Sequence, residues 1–106
     1  MKISIIIYSN DSETVWNVFR LANLALQQKD DVKIFLLAKG VEAESLDTEK
    51  FKIRELMQTF LEKGGAILAC TTCIKLRQQE ASELCPLSTM QDLYDLIKNS
   101  DRVLTF

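Results

Sequence analysis

The chain alternates between runs of continuous apolar residues and stretches with a helical apolar period. Lys2-Ile3-Ser4-Ile5-Ile6-Ile7-Tyr8 is rich in β-branched residues and almost unbroken, the pattern of a strand buried on both faces of a parallel sheet. Ser9-Asn10-Asp11-Ser12 follows, and Asn10 with Glu13 has capping-box spacing. Val15, Phe19, Ala22 and Leu26 then recur at helical intervals, widened by Trp16, Leu21 and Ala25, which predicts a helix from Glu13 to Gln28. Val32 to Leu37 reads as a second strand, completing a right-handed βαβ unit. Ala38 to Asp47 is expected to be a connecting loop. Asp47 or Thr48 is the expected cap of a second helix over Glu49–Lys63, carrying Phe51, Ile53, Leu56, Met57, Phe60 and Leu61 inward. Gly64-Gly65 stops it, with one glycine in the left-handed conformation.

Ala66 to Cys70 is the third strand, and Cys70-Thr71-Thr72-Cys73 opens one or two turns of helix. Arg77 to Thr89 shows no regular period and holds the only proline. Ser88 or Thr89 is the expected cap of a third long helix, Met90–Asn99, and Arg102–Phe106 is a last strand. The order of elements predicts a single domain, residues 1–106, folded as a three-layer α/β/α sandwich around a mainly parallel sheet of four to five strands. In such sheets sites lie beyond the carboxyl ends of the strands. Ser9–Ser12, Ala38–Val41 and Cys70–Cys73 all fall on that edge.

Composition narrows the chemistry. At 106 residues and 47% apolar content, with three glycines and one proline, the chain has enough apolar surface for a core and is not low-complexity. Net charge is −2 with acids and bases interspersed, so no direct nucleic-acid contact is expected. The first apolar run is too short for a membrane span or a secretory leader, so no membrane partner is expected and the cytoplasm, where thiols stay reduced, is the expected compartment.

Three cysteines and no histidine exclude a Cys-His nucleophile pair within the chain and any histidine-bearing metal site. Zinc would need a ligand from outside, so no metal is expected. Cys70 and Cys73 are the candidate reactive thiols. Backbone N–H groups at the helix start, with Lys75 or Arg77 folding back, would favour the thiolate. Cys85 is a candidate resolving thiol or a packing residue. Asn10 and Asp11 are cap and turn residues that could also bond near the thiols. A thioredoxin-like pair is disfavoured because the motif follows the third strand rather than the first of its βαβ unit.

The opening Ile5-Ile6-Ile7-Tyr8-Ser9-Asn10-Asp11, the segment Val32-Lys33-Ile34-Phe35 leading to Ala38-Lys39-Gly40-Val41, and above all Gly64-Gly65-Ala66-Ile67-Leu68-Ala69-Cys70-Thr71-Thr72-Cys73 followed by Arg77 resemble the DsrE/DsrF-like family, which includes the TusD-type sulfur-relay proteins. The resemblance covers essentially the whole chain. Thr71 stands where many members have glycine, and Arg77-Gln78 where many have Arg-Gly. It implies a trimer or hexamer in which a strand-end cysteine, matched by Cys70, accepts sulfur as a persulfide and passes it on. Cys73 matches the second cysteine of members that carry a pair. The reading is therefore a persulfide carrier, a sulfurtransferase if an enzyme at all. It would use sulfur donor and acceptor proteins and no organic cofactor. The alternatives are an oligomeric interaction module with structural cysteines, or a Cys70–Cys73 redox switch.

Overall fold

The computed structural model describes residues 1–106 as a five-stranded parallel sheet with helices on both faces. In chain order the strands are β1 (Lys2–Ile7), β2 (Asp31–Leu36), β3 (Ala66–Cys70), β4 (Leu87–Ser88) and β5 (Arg102–Thr105), arranged β4-β3-β2-β1-β5. The helices are α1 (Ser12–Gln27), α2 (Ile53–Glu62), α3 (Thr71–Leu76) and α4 (Met90–Lys98).

Alternation along the strands divides the apolar runs between two faces. Ile5 and Ile7 share one with Ile34, Leu36, Ile67 and Ala69, all fully buried. Val15, Val18, Phe19 and Ala22 of α1 and Ile53, Met57 and Phe60 of α2 complete this core, with Phe19 and Phe60 edge to face at 6.2 Å between centroids. The wide stripe on α2 is thus spent inside the molecule. The opposite face is covered only in part, by α4, which crosses from β4 at one edge to β5 at the other. A cavity of about 430 Å³ remains there, with Ser4, Lys33 and Leu68 on the sheet side and Asp95 and Leu96 on α4.

Several boundaries differ from expectation. Asp11, not Asn10, caps α1: its Oδ2 accepts from the Thr14 N–H at 2.9 Å and the Thr14 hydroxyl at 2.8 Å. These bonds hold the Asp11 carboxyl below its usual range. The second helix starts at Ile53 rather than Glu49, because Thr48 closes a turn ahead of it, while Asp47 reaches over that turn to an N–H in the helix's own first turn. The Thr48 hydroxyl accepts from the Phe51 N–H and Asp47 Oδ1 from the Arg54 N–H, both at 2.9 Å. Ala38–Leu46, read as a loop, is a 3-10 helix. Thr89 caps α4 in a reciprocal capping box with Asp92. The irregular segment contains β4, a two-residue edge strand pairing Leu87 with Ala69 and Ser88 with Cys70.

Gly64 lies at φ +96° with open space around it, so it serves as the left-handed helix stop. Gly65 is needed for proximity: a Cβ there would lie 2.4 Å from ring carbons of Phe60.

Candidate functional site

The carboxyl ends of β1, β2 and β3 bring together the Asn10 turn, the 3-10 helix and the Cys70–Cys73 turn. Cys70 is the last residue of β3 and the N-cap of α3, at extended backbone angles. Its side chain is 3% exposed. The strand β4 pairs alongside it, and the Thr71 hydroxyl donates to the Ser88 carbonyl at 2.9 Å, fastening the turn to that edge. Cys73, three residues on and therefore on the same side of the helical turn, is half-buried. Its Sγ accepts the backbone N–H of Ala38 at 3.2 Å. Ala38 itself has φ +51°, an uncommon conformation for a residue with a Cβ.

The electrostatics differ from the expectation. Burial, then interaction with the Cys70 thiol, push the Cys73 thiol above its ordinary range, while the Ala38 N–H and, more weakly, Arg77 pull the other way. Helix α3 has six residues, too few to supply much of a dipole. Lys75 is exposed and forms no ion pair. Arg77 folds back, but onto the turn rather than the sulfur. Its Nε donates to Glu42 Oε2 at 2.8 Å and its Nη1 to the Cys73 carbonyl at 3.2 Å. The Arg77 bond holds the Glu42 carboxyl below its usual range.

Glu42 and Gln79 are the residues sequence reasoning missed. Glu42 joins Arg77 to Asn10, whose Nδ2 donates to Glu42 Oε1 at 3.5 Å. Gln79 Nε2 donates to the Val41 carbonyl at 2.9 Å. Together with Ala38 N–H to Cys73 Sγ, these bonds lash the 3-10 helix to the thiol turn. The only signal in the sequence was their position in segments meeting at one sheet edge. Glu42, Arg77 and Gln79 also wall an all-polar cleft of about 740 Å³, which neither cysteine lines.

Two supporting residues fall away from the chemistry. The Asp11 carboxylate is committed to Thr14. Cys85 is buried, and its thiol is pushed up to about 12 by burial with a smaller contribution from the Glu44 charge. Its side chain packs in the core, and all three cysteines are free thiols. No group of three Cys, Asp or Glu side chains is arranged to hold a metal ion.

A parallel α/β sheet presenting two adjacent thiols beyond the end of an inner strand defines a small thiol protein of doubly wound type. The DsrE/DsrF-like family model matches residues 1–106, and the chain belongs to that family. It is 33% identical over 114 residues to the uncharacterized protein MJ0989 of Methanocaldococcus jannaschii, with both chains fully covered. It is 34% identical over 101 residues to the uncharacterized protein MK0008 of Methanopyrus kandleri, covering 89% of this chain and 83% of that one. Among solved structures, the ychN protein of E. coli superposes with a TM-score of 0.84 at 23% identity over the whole of both chains. The protein of unknown function BT1422 from Bacteroides thetaiotaomicron superposes at 0.79 with 20% identity, covering 99% of this chain and 94% of that one. At these identities the two structures establish the shared fold.

Proposed function

We propose that this protein is a sulfur-relay protein that carries a persulfide on the Cys70–Cys73 turn and passes the sulfur to a partner. The observation that supports this most directly is a half-exposed thiol, Cys73, with a backbone N–H aimed at its sulfur and a second thiol beside it. Sulfur transfer between persulfides and thiols needs only an accessible thiolate and an approach path. Neither histidine nor an organic cofactor enters. Membership of a family whose members generally serve in sulfur relay points the same way.

Intact-protein mass spectrometry after incubation with a small-molecule persulfide donor tests the reading. Sampled early, the reduced wild type is expected to carry one added sulfur, and a Cys70→Ser, Cys73→Ser double variant none, while Cys85→Ser behaves as wild type. Reduced wild type that neither gains sulfur at early times nor releases sulfide would support the competing reading, an interaction module with structural cysteines, which the burial of Cys70 also fits.

The partners in this reading are protein donors and acceptors of sulfur, together with further copies of the chain. Met90, Tyr94 and Ile97 of α4 and Val103 of β5 are exposed apolar side chains near the half-covered sheet face. That concentration is what an assembly contact requires. A homotrimer or homohexamer is expected in sedimentation at micromolar concentration. A monomer under those conditions would count against it. No helix is long and apolar enough to cross a membrane.

A further inference from the structure

We infer that Cys73 and Cys70 act as an ordered pair. Cys73 is the entry thiol that takes a sulfane sulfur from its donor, and Cys70 is the resolving thiol that expels that sulfur as hydrogen sulfide when no acceptor has removed it. The inference rests on the sulfur-relay reading and reverses the order that the family resemblance implies. Three observations carry it. Cys70 is 3% exposed and lies against the β4 edge strand, so a donor protein has no path to its sulfur. Cys73, three residues on, is only half-buried, with the Ala38 N–H 3.2 Å from Sγ to meet negative charge on it. The two thiols already interact, so the group best placed to attack a sulfur bound on Cys73 is Cys70.

The steps balance without an outside oxidant. The Cys73 thiolate attacks the outer sulfur of a donor persulfide, R–S–SH. The donor S–S bond breaks, a Cys73 Sγ–S bond forms and R–S⁻ leaves, with no net oxidation. The Cys70 thiolate then attacks Cys73 Sγ. The bond to the carried sulfur breaks, and that sulfur departs with the electron pair as HS⁻, reduced by two electrons. The thiol pair is oxidised to the Cys70–Cys73 disulfide, and the proton lost by Cys70 goes to water. A low-molecular-weight dithiol resets the pair. An acceptor protein at this edge intercepts the sulfur before the second step.

The test uses the reduced full chain and an inorganic polysulfide or small-molecule persulfide as donor, with sulfide release and intact mass followed together. The wild type is expected to release sulfide and end two hydrogens lighter. Cys70→Ser is expected to retain the added sulfur at least about tenfold longer, and Cys73→Ser to load at least about tenfold more slowly, because the buried thiol alone cannot reach the donor. On unmodified wild type, limiting iodoacetamide followed by peptide mapping is expected to label Cys73 well before Cys70, which keeps the order testable if a variant fails to fold. Equal labelling, wild-type loading by Cys73→Ser, or a persulfide as long-lived in wild type as in Cys70→Ser would each overturn the ordered pair while leaving sulfur carriage standing. No sulfur gain in any form would overturn both.

Discussion

Replacing Gly40 by alanine is expected to cost at least about 3 kcal/mol of folding stability, at the upper end of what overpacking does. Gly40 lies in the first turn of the 3-10 helix, where it passes over the end of β1. A Cβ there would lie 1.9 Å from the Ile7 carbonyl oxygen and 2.6 Å from its carbon. Both atoms are backbone, so no rotamer change relieves the clash. The Ile7 carbonyl is also fixed from the other side, since it accepts the Leu37 N–H at 2.9 Å. Either the end of β1 or the 3-10 helix must move. The 3-10 helix carries buried Val41 and Ala43 as well as Glu42, the partner of Arg77, so the thiol turn loses its brace together with the core contact. Gly64→Ala is the control. It sits at φ +96° with nothing within 4 Å of the added carbon, and strain of about 1 kcal/mol is expected. Urea denaturation of the two variants checks this. A loss at Gly40 no larger than that at Gly64 would mean that the close approach relaxes at little cost.

The second large effect is at alkaline pH. Cys85 ionises at about 12 in the folded protein against an ordinary value of 9.0. Below 9.0 the thiol is protonated in both folded and unfolded chains, and its contribution to stability is fully present. As pH rises above 9.0 the unfolded chain loses its proton while the folded chain keeps it, so the unfolded state is favoured progressively until about pH 12. Three pH units correspond to a loss of up to about 4 kcal/mol, a large share of the roughly 5–15 kcal/mol that holds a small domain together. Cys85→Val removes the titrating group while keeping apolar bulk. The difference in unfolding free energy between wild type and Cys85→Val is expected to change steadily in the valine variant's favour from pH 9 towards 11. Parallel stability curves across that range would show that the Cys85 thiol is not desolvated as its burial implies.

The fold was legible in the sequence, and so was the sheet edge at which the candidate thiols lie. Long β-branched runs separated by helical periods of apolar residues admit few arrangements other than a parallel sheet layered with helices. The three segments expected at the carboxyl edge meet there, with Cys70 ending β3 and Cys73 in the turn after it. Local signals that act within a few residues were legible too: a left-handed stop at Gly64-Gly65 and a cap of α4 at Ser88 or Thr89, which the structure narrows to Gly64 and Thr89. Tertiary structure decided what depends on residues distant in sequence. Exposure of a thiol is set by what packs around it, and Cys70 is 3% exposed beside a two-residue strand with too little pattern to be read in advance. Thiol ionisation is set by burial and neighbouring dipoles, so the Ala38 N–H on Cys73, the desolvation of Cys85 and the diversion of Arg77 to Glu42 became visible only once chain segments 35 or more residues apart were packed together. Periodicity records which side of an element faces the core. It does not record which of two cysteines on the same turn still faces water.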